Sequence, residues 1–154
     1  MLFRSATEGG YSSTAGAGGT ARGGSATVRL DGGTLTSPYE LDIQNYAIAL
    51  ADGAGSPGIG GLASLEATAG TLNVPVLQIL EQSEAGGRAS LANTDGAVMI
   101  GGDLTIAAAT SGVNAGDGVA FSSSGSRVSV AGAAQFTGSA VDMAFTGEIG
   151  RAHV

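Results

Sequence analysis

The chain has 154 residues, with 28 Gly, only three Pro, no Cys, no Trp, and aromatic residues limited to three Tyr and four Phe. That composition excludes a round core of bulky side chains, a collagen helix and any disulfide or thiol chemistry, while a charged fraction of 12% argues against disorder. The net charge of −7 leaves no basic stripe for nucleic acid or anionic lipid, and no stretch reaches the ~20 apolar residues of a membrane span.

Residues 1–24 read as a Gly-rich lead-in or a partial rung. Met1–Glu8 has no apolar segment of the kind a secretion signal requires, and Gly9-Gly10, Gly18-Gly19 and Gly23-Gly24 suggest a chain that opens inside an array of repeats.

From Ser25 the residues alternate with period two, the mark of a strand with one buried face. Ala26, Val28 and Leu30 share one side, Asp31-Gly32-Gly33 breaks the run, Leu35 restarts it, and Ser37-Pro38 breaks it again before Leu41 and Ile43. The second copy has Ala63, Leu65 and Ala67, a corner at Ala69-Gly70, then Leu72, then Pro75 before Leu77 and Ile79. The third has Ala89 and Leu91, a corner at Asp95-Gly96, Val98, then Gly101-Gly102 before Leu104 and Ile106. The fourth has Phe121, a corner at Gly125, Val128 and Val130, then Gly132 before Ala134 and Phe136. Ala140–Phe145 alternates once more and reads as the start of another strand.

These copies predict an all-β fold, a parallel β-helix (β-solenoid) of about four to five rungs with three short strands per rung, over residues 25–147. Like residues stack on like, so three interior ladders are expected: Val28, Leu65, Leu91, Phe121; Leu35, Leu72, Val98, Val128; and Ile43, Ile79, Ile106, Phe136. The segments Gln44 to Gly61, Leu80 to Gly87 and Ala107 to Gly118 differ in length, which assigns them to outward loops at one corner. Neither end offers an obvious cap, so exposed strand edges and edge-to-edge self-association are expected. Glu148–Val154 reads as a non-native tail, because it matches the translation of a common sequencing-adapter sequence; it holds His153, the one His.

Candidate chemistry is sparse. Gly53-Ala54-Gly55-Ser56-Pro57-Gly58 matches GxGxxG, but Ile59-Gly60-Gly61-Leu62-Ala63-Ser64 does not open a helix on which a pyrophosphate would rest, and a chain this rich in Gly matches by chance. The Asp-Gly pairs at Asp31, Asp52, Asp95 and Asp117 read as turn formers, since the nonapeptide repeat of calcium β-rolls is missing. Glu40 with Asp42, placed on one side of a strand, and Glu81 with Glu84, placed in a loop, are the carboxylate pairs that a glycosidase reading would need, and both read as solvated surface. Thr27, Thr34, Thr71 and Thr105 fall at unlike positions of the repeat, so no Thr ladder of the ice-binding kind is expected. No catalytic, cofactor-binding or metal-binding residue is assigned, and an enzyme is not expected.

The segments Gly23–Leu35 and Gly102–Ala107 resemble the Gly-rich repeats of filamentous-haemagglutinin-like and autotransporter adhesins of Gram-negative bacteria, a likeness that covers about residues 16 to 147. The resemblance implies a right-handed parallel β-helix in a secreted surface protein. This sequence holds neither the secretion signal, nor the export domain, nor the translocator barrel of that family, and the repeat carries no catalytic residue. The expected role is a structural stalk or adhesin, extracellular or on the bacterial outer surface, with host, matrix or neighbouring-cell molecules met through the variable loops. A carbohydrate-active β-helix, a polysaccharide lyase or hydrolase, is the alternative.

Overall fold

The computed structural model describes residues 2–8, 23–48, 60–83, 86–108 and 118–146, and among them every regular element is a β-strand. In chain order they are β1 (Leu2–Glu8), β2 (Ser25–Asp31), β3 (Thr34–Thr36), β4 (Leu41–Ile48), β5 (Leu62–Thr68), β6 (Thr71–Val74), β7 (Leu77–Ser83), β8 (Arg88–Thr94), β9 (Ala97–Ile100), β10 (Leu104–Ala108), β11 (Gly118–Ser124), β12 (Arg127–Val130), β13 (Ala134–Thr137) and β14 (Ala140–Thr146). Each strand pairs with the strand three places along the chain, always in parallel. Three sheets result: β2-β5-β8-β11-β14, β3-β6-β9-β12 and β1-β4-β7-β10-β13. The chain is a parallel β-solenoid with three strands per rung.

The three expected ladders form in the expected register. Val28 pairs with Leu65, Leu65 with Leu91 and Leu91 with Phe121, and β14 extends the column with Met143. Leu35, Leu72, Val98 and Val128 stack in the second sheet, and Ile43, Ile79, Ile106 and Phe136 in the third. A fourth column, Leu41, Leu77, Leu104 and Ala134, lies beside the last. The members of the two middle rungs are shut off from solvent, and each buried Leu or Ile contributes roughly 1.5–3 kcal/mol. A one-residue slip in any pair would turn that column outward, so the core itself enforces the register.

The first corner of every rung requires one left-handed residue. Gly32, Ala69, Asp95 and Gly125 follow the last residues of β2, β5, β8 and β11, and their φ angles are 71°, 51°, 53° and 58°. The ladder of hydrogen bonds runs unbroken through this corner: the N–H groups of Gly32, Ala69, Asp95 and Gly125 donate to the carbonyls of Thr68, Thr94, Ser124 and Thr146 at 2.7–3.0 Å. Gly enters this conformation freely, whereas a Cβ is crowded by the following carbonyl. Ala69→Gly is therefore expected to raise stability by about 1 kcal/mol, read from the urea midpoint at unchanged m.

The third strands run further than the apolar pattern indicates. β4 and β7 continue for five and four residues past Ile43 and Ile79, because the next inward places are taken by Asn45 and Glu81, residues that an apolar template does not count. Glu81, expected in a solvated loop, instead lies in β7 and is 1% exposed. β1 is a third-strand element as well, since Phe3 lies in register with Ile43.

Candidate functional site

Two buried polar groups and one exposed row distinguish the rungs from a plain apolar coil. The first group lies where the third strand ends and the next rung begins. Asn45 Nδ2 donates to Glu81 Oε1 at 3.2 Å, and both side chains are buried. They have room because the chain re-enters the coil on glycines: a Cβ on Gly23 would press on the Asn45 amide, and one on Gly87 would fall inside the Glu81 carboxylate. The same glycines allow backbone to lie directly on backbone, and a Cβ on Gly60 or Gly61 would meet main-chain atoms of Gly87 or Gly24. The glycines that precede β2, β5 and β8, Gly23, Gly60, Gly61 and Gly87, are thus a packing requirement of this corner.

The second group braces the first corner from within. Asn93 is 1% exposed, and its Nδ2 donates to the carbonyls of Gly96 at 3.3 Å and Arg127 at 3.2 Å, tying two successive rungs together. One rung on, Ser126 Oγ donates to the Asn93 carbonyl at 3.0 Å, and Ser123 Oγ lies 3.0 Å from Ser126 Oγ. Removing the buried donor takes one hydrogen bond from each carbonyl, and that of Gly96 keeps a second bond, from the Arg127 N–H at 3.0 Å. Asn93→Ala is expected to destabilise the fold by about 1–3 kcal/mol, seen as a lower urea midpoint and as faster amide exchange in β9 and β12.

Outside the coil, the last residue of each first strand forms a row in strict register: Asp31, Thr68, Thr94, Ser124 and Thr146, all exposed. Thr34 and Thr71, expected at unlike positions, are also direct partners. The pairing corrects the expectation for Thr34 and Thr71, while Thr27 and Thr105 do stand at unlike positions, opposite Ser64 and opposite Gln78 and Gln135. The row is hard to see in sequence because each member precedes a corner, where hydroxyl and carboxylate side chains are commonplace turn residues. Two residues back the matching row is Arg29, Glu66, Ala92, Ser122 and Ala144, which carries no constant group. A second aligned rank of hydroxyls is not present beside the first.

One pair of charged groups is joined across this face. Arg29 Nε and Nη2 both donate to Glu66 Oε2, at 2.9 and 2.5 Å, across neighbouring strands. The Glu66 carboxylate holds the Arg29 guanidinium above its usual range, chiefly through that hydrogen bond. Thr27 and Ser64 are joined by a hydroxyl contact of 2.9 Å on the same face.

The other residues singled out by sequence are dispersed. Glu40 precedes β4 and is outside it, while Asp42 lies on the outer face of β4, where Oδ2 accepts from Gln44 Nε2 at 2.8 Å. Thr105 lies on the outer face of β10, opposite Gln78 and Gln135. The GxGxxG segment at Gly53–Gly58, Asp52, Glu84, Asp117 and His153 lie outside the described residues. Among the described residues no group of three His, Cys, Asp or Glu could hold a metal ion, and no helix is long and apolar enough to cross a membrane. Comparison of the chain with family models, with curated proteins and with solved structures finds no match.

Proposed function

We propose that the chain is a segment of a secreted surface solenoid, acting as a stalk or adhesive scaffold rather than as a catalyst. The observation that carries this reading is the unbroken register of the interior ladders from β2 to β14, which makes each rung an equivalent layer of the column. Parallel pairing along the whole axis provides stiffness, and hydroxyl, amide and alanine side chains predominate on the outer faces, with charged residues such as Arg29, Glu66 and Asp42 scattered among them. Contacts with host, matrix or neighbouring-cell molecules fall to the segments that join third strands to first strands, whose lengths vary freely without disturbing the ladders.

If rungs are interchangeable layers, removal of residues 88–117 joins Gly87 to Gly118 and leaves a shorter coil in register. Circular dichroism of that variant should keep the β signature of the parent. The carbohydrate-active alternative is tested by incubating the chain with pectic, alginate and glucan polymers and assaying new reducing or unsaturated ends. Turnover that disappears in Glu66→Gln or Asp42→Asn would sink the scaffold reading.

A further inference from the structure

The chain contains four Gln, at 44, 78, 82 and 135, and all four stand on one surface, the outer face of the third sheet. Each is the sequence neighbour of an inward residue, and successive residues of a strand face opposite ways: Gln44 follows Ile43, Gln78 lies between Leu77 and Ile79, Gln82 follows buried Glu81, and Gln135 lies between Ala134 and Phe136. Register gathers them further. One outer column reads Asp42, Gln78, Thr105, Gln135, and Gln82 stands beside Tyr46. With rungs ~4.8 Å apart and outward residues of a strand about 6.6 Å apart, the amides occupy points of one regular grid.

Charge is kept to a different face. The outer positions of the first sheet hold Arg29, Asp31, Glu66, Arg88 and Asp142, whereas those of β4, β7, β10 and β13 hold one charge, Asp42. The Asp42 carboxylate is engaged with its own strand, accepting from Gln44 Nε2 at 2.8 Å. Among the described residues Gln78, Gln82 and Gln135 make no side-chain hydrogen bond, so each amide keeps two donors and an acceptor for something else. Aromatic surface is at hand as well: Tyr46 is an outward residue of β4, and Tyr39, 74% exposed, stands at the corner that opens β4.

From this segregation we infer that the outer face of the third sheet binds a neutral polysaccharide. A polyanion finds no cation on β4, β7, β10 or β13, and an apolar peptide would need a continuous hydrophobic groove, which Gln and Thr interrupt. An uncharged chain of sugar rings fits the chemistry that is present. Two adjacent hydroxyls of a ring donate to the oxygen of one Gln amide and accept from its nitrogen, and the C–H face of a ring packs on Tyr. Gln78 and Gln135 repeat the contact two rungs apart, while Gln82 and Tyr46 carry it to the edge where the third strands end. The inference goes beyond the scaffold reading, because it concerns a sheet face and not the joining segments, and it holds wherever the protein works.

The test is native affinity electrophoresis of the full chain in gels cast with mixed-linkage β-glucan, galactomannan, xyloglucan or dextran, with polygalacturonate and heparin as the anionic comparisons. Retardation is expected in at least one neutral gel, and it should not change with ionic strength. Gln78→Ala combined with Gln135→Ala should weaken it about fivefold or more, with the circular dichroism unchanged because both side chains point outward. Arg88→Ala, on the first sheet, should leave it as it was. A second readout needs no substitution: with Gln labelled by 15N at the side chain, the amide signals of Gln78 and Gln135 should shift when oligosaccharides of the retarding polymer are added. Full retardation of the double variant would assign binding to another surface and overturn the inference, as would retardation by the anionic polymers alone or by none of the six. Slow migration in glycan-free gels that the same two substitutions abolish would make a second copy of the chain the occupant, and would overturn it too.

Discussion

Gly61→Ala is expected to destabilise the fold by about 3 kcal/mol or more, whereas Gly118→Ala should leave stability unchanged or slightly raised. The two substitutions add the same methyl group and remove the same backbone freedom, so the difference isolates packing. A Cβ on Gly61 would collide with the carbonyl oxygen of Gly24, the atom that accepts the Leu62 N–H at 3.1 Å. Relief requires β5 to move away from β2 at the point where their ladder begins, and Ala63 and Leu65 would lose contact with Ala26 and Val28. A flexible side chain could swing aside; here the obstacle is main chain on main chain. At Gly118 an added Cβ meets nothing within 4 Å. Urea titration followed by far-UV circular dichroism decides the matter, and equal midpoints for the two variants would contradict the stacked-glycine corner.

Leu91→Ala is expected to lower stability by about 3–4 kcal/mol, in the upper part of the range for buried leucines. Leu91 is 1% exposed, in the middle of its column between Leu65 below and Phe121 above. Both neighbours are held at fixed height by ladder hydrogen bonds, so the space left by the missing side chain cannot collapse along the axis. Val128→Ala, in the half-buried outermost member of the second column, should cost about 1 kcal/mol. Because adjacent rungs share the same cavity, Leu65→Ala combined with Leu91→Ala should depart from additivity, while Leu35→Ala combined with Leu91→Ala should add. Equal losses for Leu91→Ala and Val128→Ala would show that position within the column is irrelevant, and would count against the interior-ladder account.

The core is legible in the sequence because its physics is repetitive. Period-two alternation identifies the strands, and the seven-residue step from Val28 to Leu35, from Leu65 to Leu72, from Leu91 to Val98 and from Phe121 to Val128 sets the register of two sheets. What escapes is whatever departs from apolar repetition. β1 shares only Phe3 with the Ile column and stands before the Gly-rich stretch that begins at Gly9, with no first and second strand of its own rung ahead of it to reveal the repeat. The ends of β4 and β7 escape because Asn45 and Glu81 point inward at places where an apolar residue is the usual sign of a strand. Asn93 escapes because the neighbouring rungs carry Ala67 and Ser123 at its position, and the carbonyls it serves are brought near it only by the corner. The constant outer row of Asp31, Thr68, Thr94, Ser124 and Thr146 reads as turn chemistry, which its position before each left-handed corner also explains.

The glycine corner has a consequence for recognition. The segments that follow the third strands β1, β4, β7 and β10 return through Gly23-Gly24, Gly60-Gly61, Gly86-Gly87 and Gly118, and these return points are stacked one strand spacing apart, ~4.8 Å. Weak contacts made by segments rooted there would be added in single file along one edge, with an effective concentration set by the rigid pitch of the coil and not by a flexible linker. A long, periodic polymer such as a polysaccharide could be held by that edge through many individually feeble contacts, and lengthening the coil would raise avidity without improving any one of them.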